Sequence, residues 1–206
     1  MPELGPRERI FEALLDLSVG NGYTAIDLAM VLERAGASRQ DFDADFSGME
    51  DCAIQLLDDF YQPAKRRIRA AYDGRPRWPD SLRAASYETL DWVLENPREV
   101  RFGAIELLSV GELARLRREA AFKDFVYMVD AGRDYAPDPA AVSDLTAEHI
   151  VGSLAEMLIK RLRDPPRDPR ELVADSMYLA VLPYLGLKAA ERELTIPPPA
   201  PESDDG

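Results

Sequence analysis

Residues 22–46, GYTAIDLAMVLERAGASRQDFDADF, leave this chain few ways to fold. Leu28, Val31, Leu32 and Ala35 recur at intervals of three and four, the period of one helix face, and Asp27 stands where an N-cap belongs. Gly36 is a break. Ser38 is placed to cap a second short helix beginning at Arg39, and Phe42 and Phe46, four apart, share its inner face. The expectation is two short helices joined by a tight turn, seated on a core through two aromatic rings.

The flanking sequence extends this pattern. Ile10, Leu14 and Leu17, widened by Phe11 and Leu15, predict a helix over residues 7–19, stopped by Asn21-Gly22, with Tyr23 as an apolar anchor beyond it. After a break at 47–48, a helix from Met49 turns Cys52, Leu56, Leu57, Phe60 and Tyr61 inward. Pro63 lacks a backbone N–H, so a kink or break is expected near Tyr61. The run Lys65, Arg66, Arg67, Arg69 reads as a solvated face. Further helices are expected over 81–95, 97–110 (with Asn96 as N-cap and Pro97 at its first position), 113–132, 144–162 and 169–187. A loop occupies 133–142.

The predicted fold class is therefore all-α. It comprises an N-terminal three-helix helix-turn-helix domain over 1–48 and a larger helical domain over 49–194. A disordered, Pro-rich acidic tail is expected over 195–206. The helices at 144–162 and 169–187 are too apolar for a monomer surface, so they are the expected homodimer interface.

Composition removes several function classes. No apolar run approaches the ~18–20 residues that span a bilayer, so no membrane association is expected. Charges at the N-terminus occupy the place where a secretion signal needs an apolar core, and the single cysteine, Cys52, suits a reducing compartment. The expected location is the cytoplasm. His149 is the only histidine, so no catalytic triad or multi-histidine metal site can be assembled, and no phosphate-binding loop occurs. The chain reads as a non-enzyme with no cofactor and no metal.

The residues RERIFEALLDL, Gly22-Tyr23, the spacing to Ala35-Gly36, and then Ser38, Phe42, Phe46 and Glu50 resemble the TetR family of bacterial transcriptional regulators. LPYLG, from Leu182 to Gly186, is similar to the close of the family's ligand-binding domain. The resemblance implies a homodimer with an N-terminal DNA-binding domain and a helical domain holding a small, mostly apolar effector. Binding of that effector changes the spacing of the two heads. The implied DNA contacts fall on Ser38, Arg39, Gln40 and Asp43. For the effector, Trp92, Phe102, Ile105, Glu106, Phe122, Phe125, Val126, Met157 and Met177 are the expected lining, with Glu106 the polar contact because it interrupts an apolar run.

The charges depart from the family pattern. Family members usually place an aromatic where Asp43 stands, often His where Asp45 stands, and commonly Lys where Met49 stands, all for phosphate contact. Over residues 1–62 there are four basic side chains against thirteen acidic ones, within a net charge of −13 for the chain. With Phe42 and Phe46 inward, Asp41, Asp43 and Asp45 lie off the buried face, where carboxylates repel phosphates. Two readings follow. One is a TetR-like regulator that binds DNA. The other is a descendant whose acidic head no longer binds DNA and acts as a ligand-binding or protein-interaction module.

Overall fold

The spacing of Ile10, Phe11, Leu14 and Leu15 places all four side chains inside the protein, and they organise the N-terminal core around α1 (Pro6–Asn21). The computed structural model describes residues 4–163 and 169–199, apart from the side chains of 161–163 and 169. Among these residues every regular element is helical.

Gly22 ends α1 at a φ of 82°, in the region that disfavours a Cβ, and its N–H donates to the Ser18 carbonyl. A 3-10 turn, Tyr23–Ala25, leads to α2 (Leu28–Ala35). Asp27 caps α2, its carboxylate accepting from the Met30 N–H at 2.9 Å. Gly36 closes the helix in the left-handed region at φ 58° and ψ 39°. Then α3 (Arg39–Asp45) opens with a full capping box. The Ser38 hydroxyl accepts from the Asp41 N–H, and the Asp41 carboxylate accepts from the Ser38 N–H.

Next come α4 (Met49–Asp73), α5 (Trp78–Glu95), α6 (Pro97–Ala104), a 3-10 turn at Glu106–Ser109, and α7 (Glu112–Asp130). Two further 3-10 turns precede α8 (Thr146–Arg163); α9 (Leu172–Leu185) and α10 (Leu187–Glu193) complete the order. No helix is long and apolar enough to cross a membrane among the described residues.

The chain divides into two units, residues 1–67 with 92–123, and residues 68–91 with 124–206, the boundaries falling inside α4, α5 and α7. In the first unit α1 packs against α2, α3 and α6. Its core holds Ile10, Leu14, Val31, Phe42, Phe46, Cys52, Phe102 and Leu107. Phe46 is the hub of the aromatic contacts, with ring centroids 5.1 Å from Phe42 and 5.4 Å from Phe11. Cys52 is fully buried here, and that burial pushes its thiol up to about 12, so it stays an inert core thiol.

The second unit is built on Trp78. Its ring is 3% exposed, and its Nε1–H donates to the Met128 carbonyl at 2.9 Å, so the buried indole leaves no polar group unmet. Tyr184 meets it edge-on at 5.2 Å. A Cβ on Gly132 would overlap the indole, so glycine permits the close approach there. Arg133 gathers the following loop, donating to the carbonyls of Pro139, Val142 and Ser143 while pairing with Asp130 at 2.9 Å.

Four expectations need correction. Pro63 does not break α4, because buried side chains on both sides of it, Leu56 and Leu57 before and Ala64 and Ile68 after, hold one continuous helix. The helix expected over 97–110 ends at Ala104, where the chain tightens to place Glu106 inward. Gly186 is a stop followed by a restart, since α10 was not expected. Finally, α7 gives way at Ala131 to a 3-10 turn that reaches Tyr135, inside the expected loop. Of the tail expected to be disordered, residues 200–206 lie outside the described residues.

Candidate nucleic-acid interface and effector face

The outer surface of α3 carries the residues singled out for DNA. Arg39, Gln40, Asp43 and Asp45 are exposed. Their charges are arranged in a way the sequence count does not reveal. Asp41 is turned back onto the helix start, its Oδ2 2.8 Å from the Ser38 nitrogen and 2.7 Å from the Ser38 hydroxyl. The Ser38 hydroxyl and backbone N–H hold the Asp41 carboxyl below the usual carboxylate range. Asp41 is therefore a capping group, and Ser38 is committed to the same cap.

Asp43 is bound to Arg39, whose Nε–H donates to both carboxylate oxygens at 2.8 and 2.9 Å. Both side chains remain solvent-accessible, at 68% and 51%. An exposed pair one helical turn apart contributes only ~0.3–0.5 kcal/mol, so a phosphate could draw Arg39 away. Before α4 only one half of that device recurs: Asp51 accepts from the Ser47 N–H at 2.8 Å and from the Ser47 hydroxyl at 3.0 Å.

A second set of links joins α1, α2 and α6. Glu106 is 8% exposed, and its Oε2 accepts from the Tyr23 N–H at 3.1 Å. Its other oxygen is 3.9 Å from Arg101. The carboxylate thus satisfies the backbone donor that opens the turn before α2. On α6, Arg98 pairs with Glu12 at 3.0 Å and Asp16 at 2.8 Å on α1, and Asp16 also pairs with Arg34 of α2 at 2.9 Å. Acidic residues of α1 are in this way tied to α6 and α2 together.

The expected effector residues are divided between the two units. Phe102 belongs to the core around α1. Trp92 lies against Phe60, ring centroids 4.1 Å apart. Ile105 and Phe122 are half-buried in the first unit; Phe125, Val126 and Met157 are half-buried and Met177 is buried in the second. Glu106, expected as the polar contact, is engaged by Tyr23 as described. A surface pocket of about 260 Å³ in the second unit, lined by Tyr72, Trp78, Tyr135 and Asp134 among others, includes none of the expected residues.

Sequence reasoning did not find Arg118. It is half-buried on α7, its guanidinium 4.8 Å from the centroid of the Phe122 ring. The signal was its spacing, four residues before an aromatic already assigned to a buried face.

No protein-family model matches the chain, and no curated protein does. Solved structures do. The fatty acid degradation regulator FadR from Bacillus halodurans superimposes with a TM-score of 0.72 at 17% identity, over 88% of this chain and 97% of that one. A regulatory protein of the tetR family from Rhodococcus RHA1 gives 0.67 at 19% identity, over 88% and 98%. The chain has the TetR-family fold. FadR from Bacillus subtilis, solved in complex with stearoyl-CoA, matches this TetR fold at 0.69 and 18% identity, over 87% of this chain and 98% of that one. The helix-turn-helix core and the helices after it thus follow one known architecture, and the acidic surface of α3 is laid on that scaffold.

Proposed function

We propose that the chain is a homodimeric transcriptional regulator that binds DNA through α3 and releases or engages it in response to a small, mostly apolar effector. The observation that carries this reading is the capped α2–turn–α3 unit, which leaves Arg39 and Gln40 exposed at the N-terminal end of α3, the end that reaches base edges in helix-turn-helix proteins. In this reading residues 1–48 are the DNA-binding head, Ser38, Arg39, Gln40 and Asp43 form its contact surface, and residues 49–194 bind effector and dimerise.

Helices α8 and α9 supply the dimer surface, a role supported by Leu179, 41% exposed on the strongly apolar α9. The candidates for effector contact are Trp92, Phe102, Ile105, Glu106, Phe122, Phe125, Val126, Met157 and Met177. Support comes from the stearoyl-CoA complex of a FadR with the same fold. The cytoplasm is the compartment such a regulator requires.

A second reading rests on the Arg39–Asp43 pair. With Arg39 neutralised in the free protein and Asp45 exposed beside it, the head is a protein-interaction module that does not bind DNA. Electrophoretic mobility shifts with the promoter region beside the gene separate the two. Regulator function requires a shift that weakens as salt rises, in proportion to phosphate contacts. No shift at low salt favours the second reading.

A further inference from the structure

Among the described residues, the partly buried arginines other than Arg118 have oxygen partners. Arg7 meets Asp59, Arg83 meets Glu193, Arg98 meets Glu12 and Asp16, Arg133 meets Asp130, and Arg9 donates to three backbone carbonyls. Arg118 is different. Among the described residues no carboxylate is paired with it, and its Nε, like that of the ion-paired Arg98, is buried without a hydrogen-bond partner. Its neighbour Arg117 makes two hydrogen bonds to Asp58 on α4, at 2.7 and 2.8 Å. Ala121, one turn beyond Arg117, accepts from the Tyr61 hydroxyl on α4. Arg117 and Ala121 therefore mark the α7 face that packs on α4. Arg118 and Phe122 lie about 100° around the helix from that face, where the adjacent Glu119 attracts the charge without forming an ion pair.

A guanidinium in such a place is costly. Burial removes water from the cation, and the Phe122 ring returns only part of that loss. The same burial pulls the Arg118 pKa below its ordinary value, though arginine still carries its charge at neutral pH. The planar fork of an arginine matches the oxygens of a carboxylate or phosphate, and the apolar ring beside it suits a hydrocarbon segment.

We propose that the effector is an amphiphile with an anionic headgroup, a carboxylate or a phosphate, that Arg118 is its counter-ion, and that Phe122 packs on the adjoining apolar chain. This rests on the effector-binding reading above and specifies the class of molecule bound.

The test is calorimetric titration of the full chain with three probes of one chain length: decanoate, decyl phosphate and decan-1-ol. The expected result is that at least one anion binds tenfold or more tightly than the alcohol, the better of the two identifying the headgroup. Arg118→Gln abolishes that preference, and a cooperative thermal unfolding transition reports that the variant is folded. Arg118→Lys keeps a reduced preference. Equal affinity for all three probes overturns the anion assignment while leaving effector binding intact, and so does an anion preference that survives in Arg118→Gln. If none of the three probes binds, the effector reading fails and the anion assignment fails with it.

Discussion

The Nε of Arg39 sits between the two carboxylate oxygens of Asp43, 2.8 Å from one and 2.9 Å from the other, on the outward face of α3. In the proposed DNA-binding reading, the basic side chain at the start of α3 is thus masked by an acidic one a turn away. Asp43→Asn removes the mask and one repelling charge. Its expected effect is tighter DNA binding at low salt, with the slope of log K against log salt steeper by about one phosphate contact, roughly 0.9. Asp43→Tyr combined with Asp45→His should strengthen binding further. Fluorescence anisotropy over a salt series measures both; unchanged affinity removes the acidic surface as the obstacle.

Glu106 holds the Tyr23 N–H from a buried position. Glu106→Ala leaves that backbone donor without its carboxylate and should lower stability by about 2 kcal/mol, the range for hydrogen bonds to charged groups. Glu106→Gln, which keeps an acceptor, should lose less. Urea denaturation of the three proteins ranks them, and equal midpoints for wild type and Glu106→Ala would show that the contact stabilises nothing.

Two carboxylates at the starts of α3 and α4 set an acid limit. The carboxyls of Asp41 and Asp51 lie below the usual range, Asp41 chiefly through the Ser38 hydroxyl and Asp51 chiefly through the Ser47 N–H. A carboxylate with a depressed folded pKa adds stability that is fully present above its unfolded value, near 3.9, and lost as pH falls through the folded one. An Asp41→Asn, Asp51→Asn double variant should be less stable than wild type from neutral pH down to about 5. That deficit should shrink below about pH 4 as the wild-type carboxylates protonate. Thermal melts across this range check it; a deficit that stays constant at low pH would exclude these carboxylates as its source.

Glycines in contrasting settings give a packing prediction. A Cβ at Gly132 would overlap the Trp78 ring, whereas beyond its chain neighbours and its own helix backbone nothing lies within 4 Å of a Cβ at Gly20, an exposed position in α1. Gly132→Ala should destabilise by about 1–3 kcal/mol through overpacking. Gly20→Ala should stabilise by about 0.5–1 kcal/mol through helix propensity. Calorimetric melting of the two variants should shift in opposite directions.

The N-terminal scaffold was legible because its signals are local. Asp27, Gly36, Ser38 and the Phe42/Phe46 spacing act within a turn or two of their own positions, and each does in the structure what its neighbours in sequence dictate. What was not legible depends on partners far along the chain. Glu106 stood out as a carboxylate in an apolar run, but its acceptor role needs Tyr23, 83 residues away. Asp41 and Asp43 counted as two repelling charges until the cap and the Arg39 pair assigned each a partner. Pro63 signalled a break that burial on either side overrides. Arg118 is inconspicuous in the sequence, because an arginine in a helix is ordinary until its buried, unpartnered Nε is located.

The pairing of Arg83 with Glu193 bears on where the protein tolerates trimming. Both side chains are largely hidden, at 11% and 8% exposure, and Glu193 is the last residue of α10. A chain cut after Gly186 would keep α9 whole yet strand the Arg83 guanidinium opposite the vacated space, and orphaning one member of a buried pair typically costs several kcal/mol. Tags and fusions therefore belong beyond Thr195, in the exposed proline stretch 197–199 or later, and the seven residues of α10 form a C-terminal clasp whose loss would be felt back on α5.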